Sequence, residues 1–254
     1  MWRRAPDPMI QPLAANTHYY RVTTVGRKWG DVLSGKGALF LPASGNRYNV
    51  VLQQAAYVTD DLRVAVTEFA YYAALDWQLR IANHHVLPVR GPIRSDFKLW
   101  QFTLQLPRNV VDIERLAPLP GSLPTFALLN PSRAYAATQN LANHVIASRF
   151  PGHPPPQLGL KVPAVRSRLG LGSTECSYVL YRIGTSPAGT LTGQWKLRLE
   201  FRDMNGNAVT GNSGRIDWAR PQFTLLPVPR ARAAAPLPPP YVLHVPNTIQ
   251  INYL

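Results

Sequence analysis

Cysteine is nearly missing from this chain: Cys176 stands alone, so no intramolecular disulfide can form, and a reducing compartment fits best. Its neighbours Glu175 and Ser177 match no nucleophile motif, and it reads as a buried small hydrophobe. Acidic residues are also scarce, with 13 Asp+Glu against 27 Lys+Arg and a formal net charge of +14. Such a field attracts phosphate-bearing or acidic partners without choosing among them. The basic residues never gather into a run of about five or six, the density of a nucleic-acid-binding tail. Nucleic acid is therefore an open partner class but not the favoured one. No window approaches the roughly 18 apolar residues of a membrane-spanning helix, and MWRRAPDPM at the start lacks the apolar stretch of a signal peptide. A cytoplasmic protein with no membrane partner is expected.

Several motifs are absent as well. There is no Gly-x-x-x-x-Gly-Lys-Ser/Thr loop and no Gly-x-Ser-x-Gly elbow. Gly170-Leu171-Gly172 lacks the strand–helix setting of a dinucleotide fingerprint, so any dinucleotide site lies outside a Rossmann fold. His84-His85 has no cysteine or carboxylate close by in sequence, and no metal is expected.

What the chain does contain is apolar residue, 46%, enough for an ordinary core. Low charge (16%) and 25 prolines point to short elements joined by stiff loops. Residues 1–16 are Pro-rich and aperiodic, and read as an arm. A strand is expected at Tyr19–Thr24, a loop or broken strand over Gly30–Asn46, and a second strand at Ala55–Thr59. Leu62, Val66, Phe69, Ala73 and Trp77 form an apolar stripe at helical period, with Thr59 or Asp60 as cap. Trp100, Phe102, Leu104 and Leu106 alternate with polar residues, the pattern of a half-buried strand. Ser132 opens a second helix running to about Arg149, with Tyr135, Ala142, Val145 and Ile146 inward; strands follow at 158–162 and 177–183. This order describes a mixed α+β domain over 17–185.

Residues 186–254 read as a β-rich appendage packed on the same core. Trp195, Leu197, Leu199 and Phe201 alternate with charged residues ahead of Asn205-Gly206, a strong hairpin signal. Further strands are expected at 215–219, 222–227 and 248–253.

Three segments carry candidate chemistry when taken together: Tyr20-Arg21-Val22, Gly45-Asn46-Arg47-Tyr48-Asn49, and Ala56-Tyr57-Val58 leading to Ala65-Val66-Thr67-Glu68. In order and spacing they resemble the RES domain, a compact relative of the ADP-ribosyltransferase fold. That family shows an aromatic-Arg-Val strand, a Gly-Gly-Arg-Trp-Asn motif, a strand ending in Tyr and a helix bearing Ala-x-x-Glu. Asn46 and Tyr48 replace the second Gly and the Trp, and Thr138-Gln139-Asn140-Leu141-Ala142 looks like its second helix. The resemblance extends at intervals over 20–181. It implies an ADP-ribosyltransferase-like core with two main helices, NAD as substrate, and cleavage of the nicotinamide–ribose bond. The acceptor would be phosphate, water or a protein side chain, and the partner an acidic antitoxin.

The residues suit that chemistry. Arginine's planar fork grips a pyrophosphate through parallel hydrogen bonds, and Arg21 and Arg47 can approach it from two segments, with Tyr48 beside them. Tyr57 offers an aromatic face and a hydroxyl, and Glu68 can stabilise positive charge on the ribose or orient a nucleophile. On position alone Glu68 reads rather as a solvated helix glutamate, and it is the family pattern that turns the reading toward the site. One departure stands out: the family's serine position in a Pro-Ser-Ala-Arg-like motif holds Ala164. Ser167, Ser173 or Thr174 takes over the serine's part, or the chemistry differs, or the chain binds a nucleotide without turning it over.

Overall fold

A computed structural model describes residues 10–32, 47–50, 53, 55–70, 73, 94–105, 108–116, 135–147, 158–165, 174–181, 189–200 and 222–227. The elements, in chain order, begin with β1 (Ile10–Leu13), β2 (Tyr19–Thr24), α1 (Trp29–Val32), β3 (Ala55–Val58) and α2 (62–70). Then come β4 (Arg94–Leu104), β5 (Arg108–Asp112), α3 (Ile113–Leu116) and α4 (Ala136–Ala147). The last are β6 (Leu158–Pro163), β7 (Cys176–Tyr181), β8 (Gly189–Glu200) and β9 (Gln222–Pro227). The fold is α+β, as the sequence pattern implied.

The strands make two sheets, one of five in the order β1-β5-β6-β7-β3 and one of four in the order β2-β4-β8-β9. Only β5 and β6 run parallel; every other named pair is antiparallel. Side chains alternate across each strand, and this sorts the core into layers. Ala55, Val111, Val179 and Tyr181 face α4, where Leu141, Ala142 and Val145 close the cluster. Ala56, Val58, Val110 and Leu180 face the other way and meet Tyr19, Phe102 and Leu104 of the second sheet. The far side of that sheet meets α2, where Phe69 and Phe97 stack edge-on at 4.6 Å.

The two sheets join where β2 and β3, both edge strands, come together. Tyr20 and Thr59 exchange backbone hydrogen bonds there, Tyr20 N to Thr59 O at 2.7 Å and Thr59 N to Tyr20 O at 3.2 Å. Otherwise unpaired edges are thereby satisfied. This seam places β2, β3 and the start of α2 side by side.

Several elements differ from the sequence expectations. Ile10–Leu13 is not part of an arm but an edge strand, with Ile10 opposite Val111 and Leu13 opposite Arg108; Pro12 is tolerated because edge strands need fewer N–H donors. Trp29–Val32 is a turn of helix where a loop or broken strand was expected. Neither Thr59 nor Asp60 caps α2: Asp61 does, its Oδ1 accepting from Arg63 N at 2.7 Å. Thr59 Oγ1 accepts from Asp61 N, while Asp60 accepts from the Tyr178 hydroxyl at 3.0 Å.

Burial on α2 covers Val64, Ala65, Val66 and Thr67 in succession, whereas Leu62 and Phe69 are half-buried. Four consecutive residues go round most of a helical turn, so the helix is enclosed on more than the expected stripe. In the same way β4 is buried on both faces, with Leu99 on one and Trp100 and Phe102 on the other. Cys176 is half-buried rather than buried.

β8 is hydrogen-bonded along the whole of β4. The segment read as the start of an appendage is thus an interior strand of the second sheet. β9 falls at the expected 222–227. Ser132, Asn205-Gly206 and the strands expected at 215–219 and 248–253 lie outside the described residues.

Candidate active site

Residues 47–49 form a short turn, and four of its backbone polar groups are held by side chains from elsewhere in the chain. The Tyr57 hydroxyl accepts from Tyr48 N at 3.0 Å and donates to Asn49 Oδ1 at 2.9 Å. The Tyr181 hydroxyl donates to Tyr48 O at 2.5 Å. From α4, Thr138 Oγ1 donates to Arg47 O at 2.6 Å and Gln139 Nε2 to Asn49 O at 3.2 Å. The wholly buried Asn49 spends its amide nitrogen on Gln53 O at 3.1 Å and Val50 O at 3.3 Å. Buried hydrogen bonds of this kind are costly to leave half-made, so the turn has one well-defined shape.

The turn presents Arg47. Its guanidinium carbon lies 5.1 Å from the Tyr135 ring centroid, a cation–π contact. Arg21 reaches the same region from β2. Its guanidinium donates to the Val32 carbonyl at the end of α1, so a backbone carbonyl meets the need for a partner that a strand arginine creates. Burial, then repulsion from Arg27, brings its pKa down to about 10, while the nearby Tyr57 acts in the opposite sense. Arg21 therefore stays a cation at neutral pH.

Burial, followed by the neighbouring Tyr57 and Tyr48, pushes the Tyr181 hydroxyl well above its ordinary range. It remains a neutral donor to the turn.

These contacts set the sequence candidates in different positions. Tyr57 bonds the turn that carries Arg47 and Tyr48, and Arg21 lies near Tyr57, while the Arg47 guanidinium is over Tyr135. Tyr48, read as a substrate contact, is 1% exposed, and its ring packs in the core with Val111 and Leu141; it serves the site through its backbone. Tyr57 has its hydroxyl committed to the turn, so the half-buried ring is what it has left to offer a ligand. Glu68 is half-buried on α2, the helix that follows the seam. Ser167 and Ser173 lie outside the described residues, and Thr174 is exposed. Ala164 is buried and its amide donates to Glu175 O at 3.1 Å, so a methyl fills the family's serine position.

Asn49, Thr138, Gln139 and Tyr181 were not among the sequence candidates for the site. Their signal was weak: a threonine and a glutamine at a helix start, and a tyrosine in an apolar strand. Among the described residues no group of three or more His, Cys, Asp or Glu could hold a metal ion, and no helix is long and apolar enough to cross a membrane.

A family model described as the RES domain matches residues 18–199, from just before β2 through nearly all of β8. The chain belongs to the RES-domain family. No curated protein matches it. RES domains are associated with NAD-related enzymatic activity, and the match includes the seam, the 47–49 turn and both helices that flank it.

Proposed function

We propose that this RES-domain chain cleaves the nicotinamide–ribose bond of NAD and passes ADP-ribose to phosphate, water or a protein side chain. The observation that supports the reading is Tyr57, which bonds the turn that carries Arg47 and lies close enough to Arg21 to act on its charge. Two arginines from separate segments suit the two phosphates of NAD, whose charges need paired, planar donors. The Tyr57 ring suits the nicotinamide or its ribose. As the bond breaks, nicotinamide leaves with the electron pair and positive charge grows on the ribose. A carboxylate placed by α2, Glu68, would stabilise that charge or hold the incoming nucleophile. This chemistry calls for no metal.

A toxin role with an acidic protein antitoxin fits the same reading, since a net charge of +14 favours an acidic partner. The test is direct: incubate the purified chain with NAD, with and without phosphate, and quantify free nicotinamide. Release that falls about a hundredfold or more in Glu68→Ala is expected. No release under either condition, with Glu68→Ala indistinguishable from wild type, would sink the proposal.

Ala164 supports a second reading, a RES-like module that binds nucleic acid or an acidic protein through its basic surface and turns nothing over. Nucleic-acid affinity that stayed flat as salt rose would exclude its nucleic-acid form, because phosphate contacts displace counterions.

A further inference from the structure

Helix α1 is four residues long, too short to hold its own shape in water, so its place is set by what it touches. Arg21, Thr23, Lys98 and Trp100 share one face of the four-stranded sheet, with Arg21 opposite Trp100 and Thr23 opposite Lys98. α1 and the residues just before it lie against that face. Trp29 packs on Trp100 and Phe102, with ring centroids 6.0 and 5.6 Å apart. Trp100 is itself fixed, its Nε1 donating to Thr23 Oγ1 at 2.8 Å. Lys98 Nζ donates to the Arg27 carbonyl at 3.1 Å and lies 5.6 Å from the Trp100 ring centroid. At the far end of α1, Val32 is buried and its carbonyl accepts from Arg21 Nη1.

That last bond decides how the Arg21 guanidinium is turned. A guanidinium offers its N–H groups in parallel pairs, and a phosphate is gripped best by one such pair. Nη1 is spent on Val32, while Nε and Nη2 make no hydrogen bond among the described residues. The pair left over is therefore the Nε–Nη2 edge. Arg21 is half-buried, and neither atom is among the buried polar atoms left without a partner, so this edge opens to solvent. Tyr57 lies close enough to act on the Arg21 charge, and its hydroxyl bonds the turn that carries Arg47. A long side chain left to itself gives up rotamer freedom when it binds; here α1 has already fixed one corner of it.

We propose that Trp29 and Lys98 are positioning residues for dinucleotide binding: they seat α1 so that the Val32 carbonyl pins one corner of the Arg21 guanidinium and turns its Nε–Nη2 edge to the pyrophosphate. This rests on the NAD reading above. Neither side chain touches the ligand; each acts through Arg21. Trp29 holds α1 by ring packing, and Lys98 holds the carbonyl of Arg27, two residues ahead of it. Losing either lets α1 shift, and the arginine must then be ordered at the moment of binding, at a cost in affinity.

The test is a double-mutant cycle, read by calorimetric titration of the full chain with NAD. Trp29→Ala and Lys98→Met are each made in wild type and in Arg21→Lys, which keeps the charge but has no paired edge. In wild type, Trp29→Ala should weaken NAD about tenfold, the worth of one charge-assisted hydrogen bond, and Trp29→Phe should stay within about twofold. In the Arg21→Lys background the same Trp29→Ala should change affinity by less than about twofold. Lys98→Met leaves the rings packed and should repeat the pattern; it carries the test if Trp29→Ala does not fold. A loss by the same factor in both backgrounds would mark a merely structural or charge effect and overturn the inference, as would no loss in wild type. NAD bound equally by wild type and Arg21→Lys would also overturn it, leaving NAD handling intact. If wild type does not bind NAD, the NAD reading itself falls and takes this one with it.

Discussion

At the scale of single residues, the Tyr57 hydroxyl carries more than its exposure suggests, since one oxygen joins Tyr48 N and Asn49 Oδ1. Tyr57→Phe keeps the ring and strands both partners in a buried site. A loss of about 1–3 kcal/mol is expected, read as a lower denaturant midpoint with unchanged slope; an unchanged midpoint would contradict the bracing. Alkaline pH probes other hydroxyls. Burial, and secondarily Asp60, pushes Tyr19 up to about 12, and burial also raises Tyr178 and Tyr181. A group raised on folding stabilises below its unfolded pKa and loses that contribution as pH rises through the folded one. Arg21, lowered to about 10 on folding, works in the opposite sense above that pH. Arg108, also lowered by burial, works the same way as Arg21; with three groups against two, stability should decline above about pH 10, and Tyr19→Phe should flatten the decline in a denaturation series. Stability that held steady to about pH 12 would refute this.

Among the elements, β6 is tightly held between β5 and β7. A Cβ on Gly159 would sit 2.7 Å from the Val179 carbonyl oxygen and 3.1 Å from Val110 Cγ1. Backbone cannot step aside as a side-chain tip can, so Gly159→Ala should cost roughly 1–3 kcal/mol by denaturation. Gly30, with nothing within 4 Å, is the control, and Gly30→Ala should be neutral or mildly stabilising. Equal effects at the two sites would count against the packing described. The elements were legible in the sequence to different degrees. β2, β3 and β9 were visible as compact β-rich runs with turn signals near them. β1 was hidden by Pro12 and by the prolines before it, which an edge strand tolerates. The α2 stripe misjudged burial because periodicity detects one face, and this helix buries most of its circumference. The candidate arginines and Tyr57 were legible as motifs. Thr138 and Gln139 were legible as part of the second-helix segment, but their contacts with the turn, and that of Tyr181, were not, because they join residues about ninety or more positions apart.

For the molecule as a whole, the RES match at 18–199 stops short of both β1 and β9, which are the outer strands of their sheets. This chain thus covers one edge of each sheet with residues beyond the family unit, which limits unwanted pairing. A boundary at 186, natural from sequence, would remove β8, the strand between β4 and β9. A chain ending at 185 should therefore fail to fold cooperatively, seen as loss of a sigmoidal denaturation curve, whereas removing residues 1–9 should not. A cooperative transition in the shorter chain would show that β8 is dispensable. The two sheets meet at the β2–β3 seam, and Tyr57 of β3 bonds the turn that carries Arg47. The most direct test of that placement is the structure of the Glu68→Gln chain soaked with NAD. The account predicts pyrophosphate oxygens within hydrogen-bond reach of Arg21 and Arg47, with the nicotinamide end against the Tyr57 ring. A dinucleotide bound elsewhere, with those residues untouched, would contradict it.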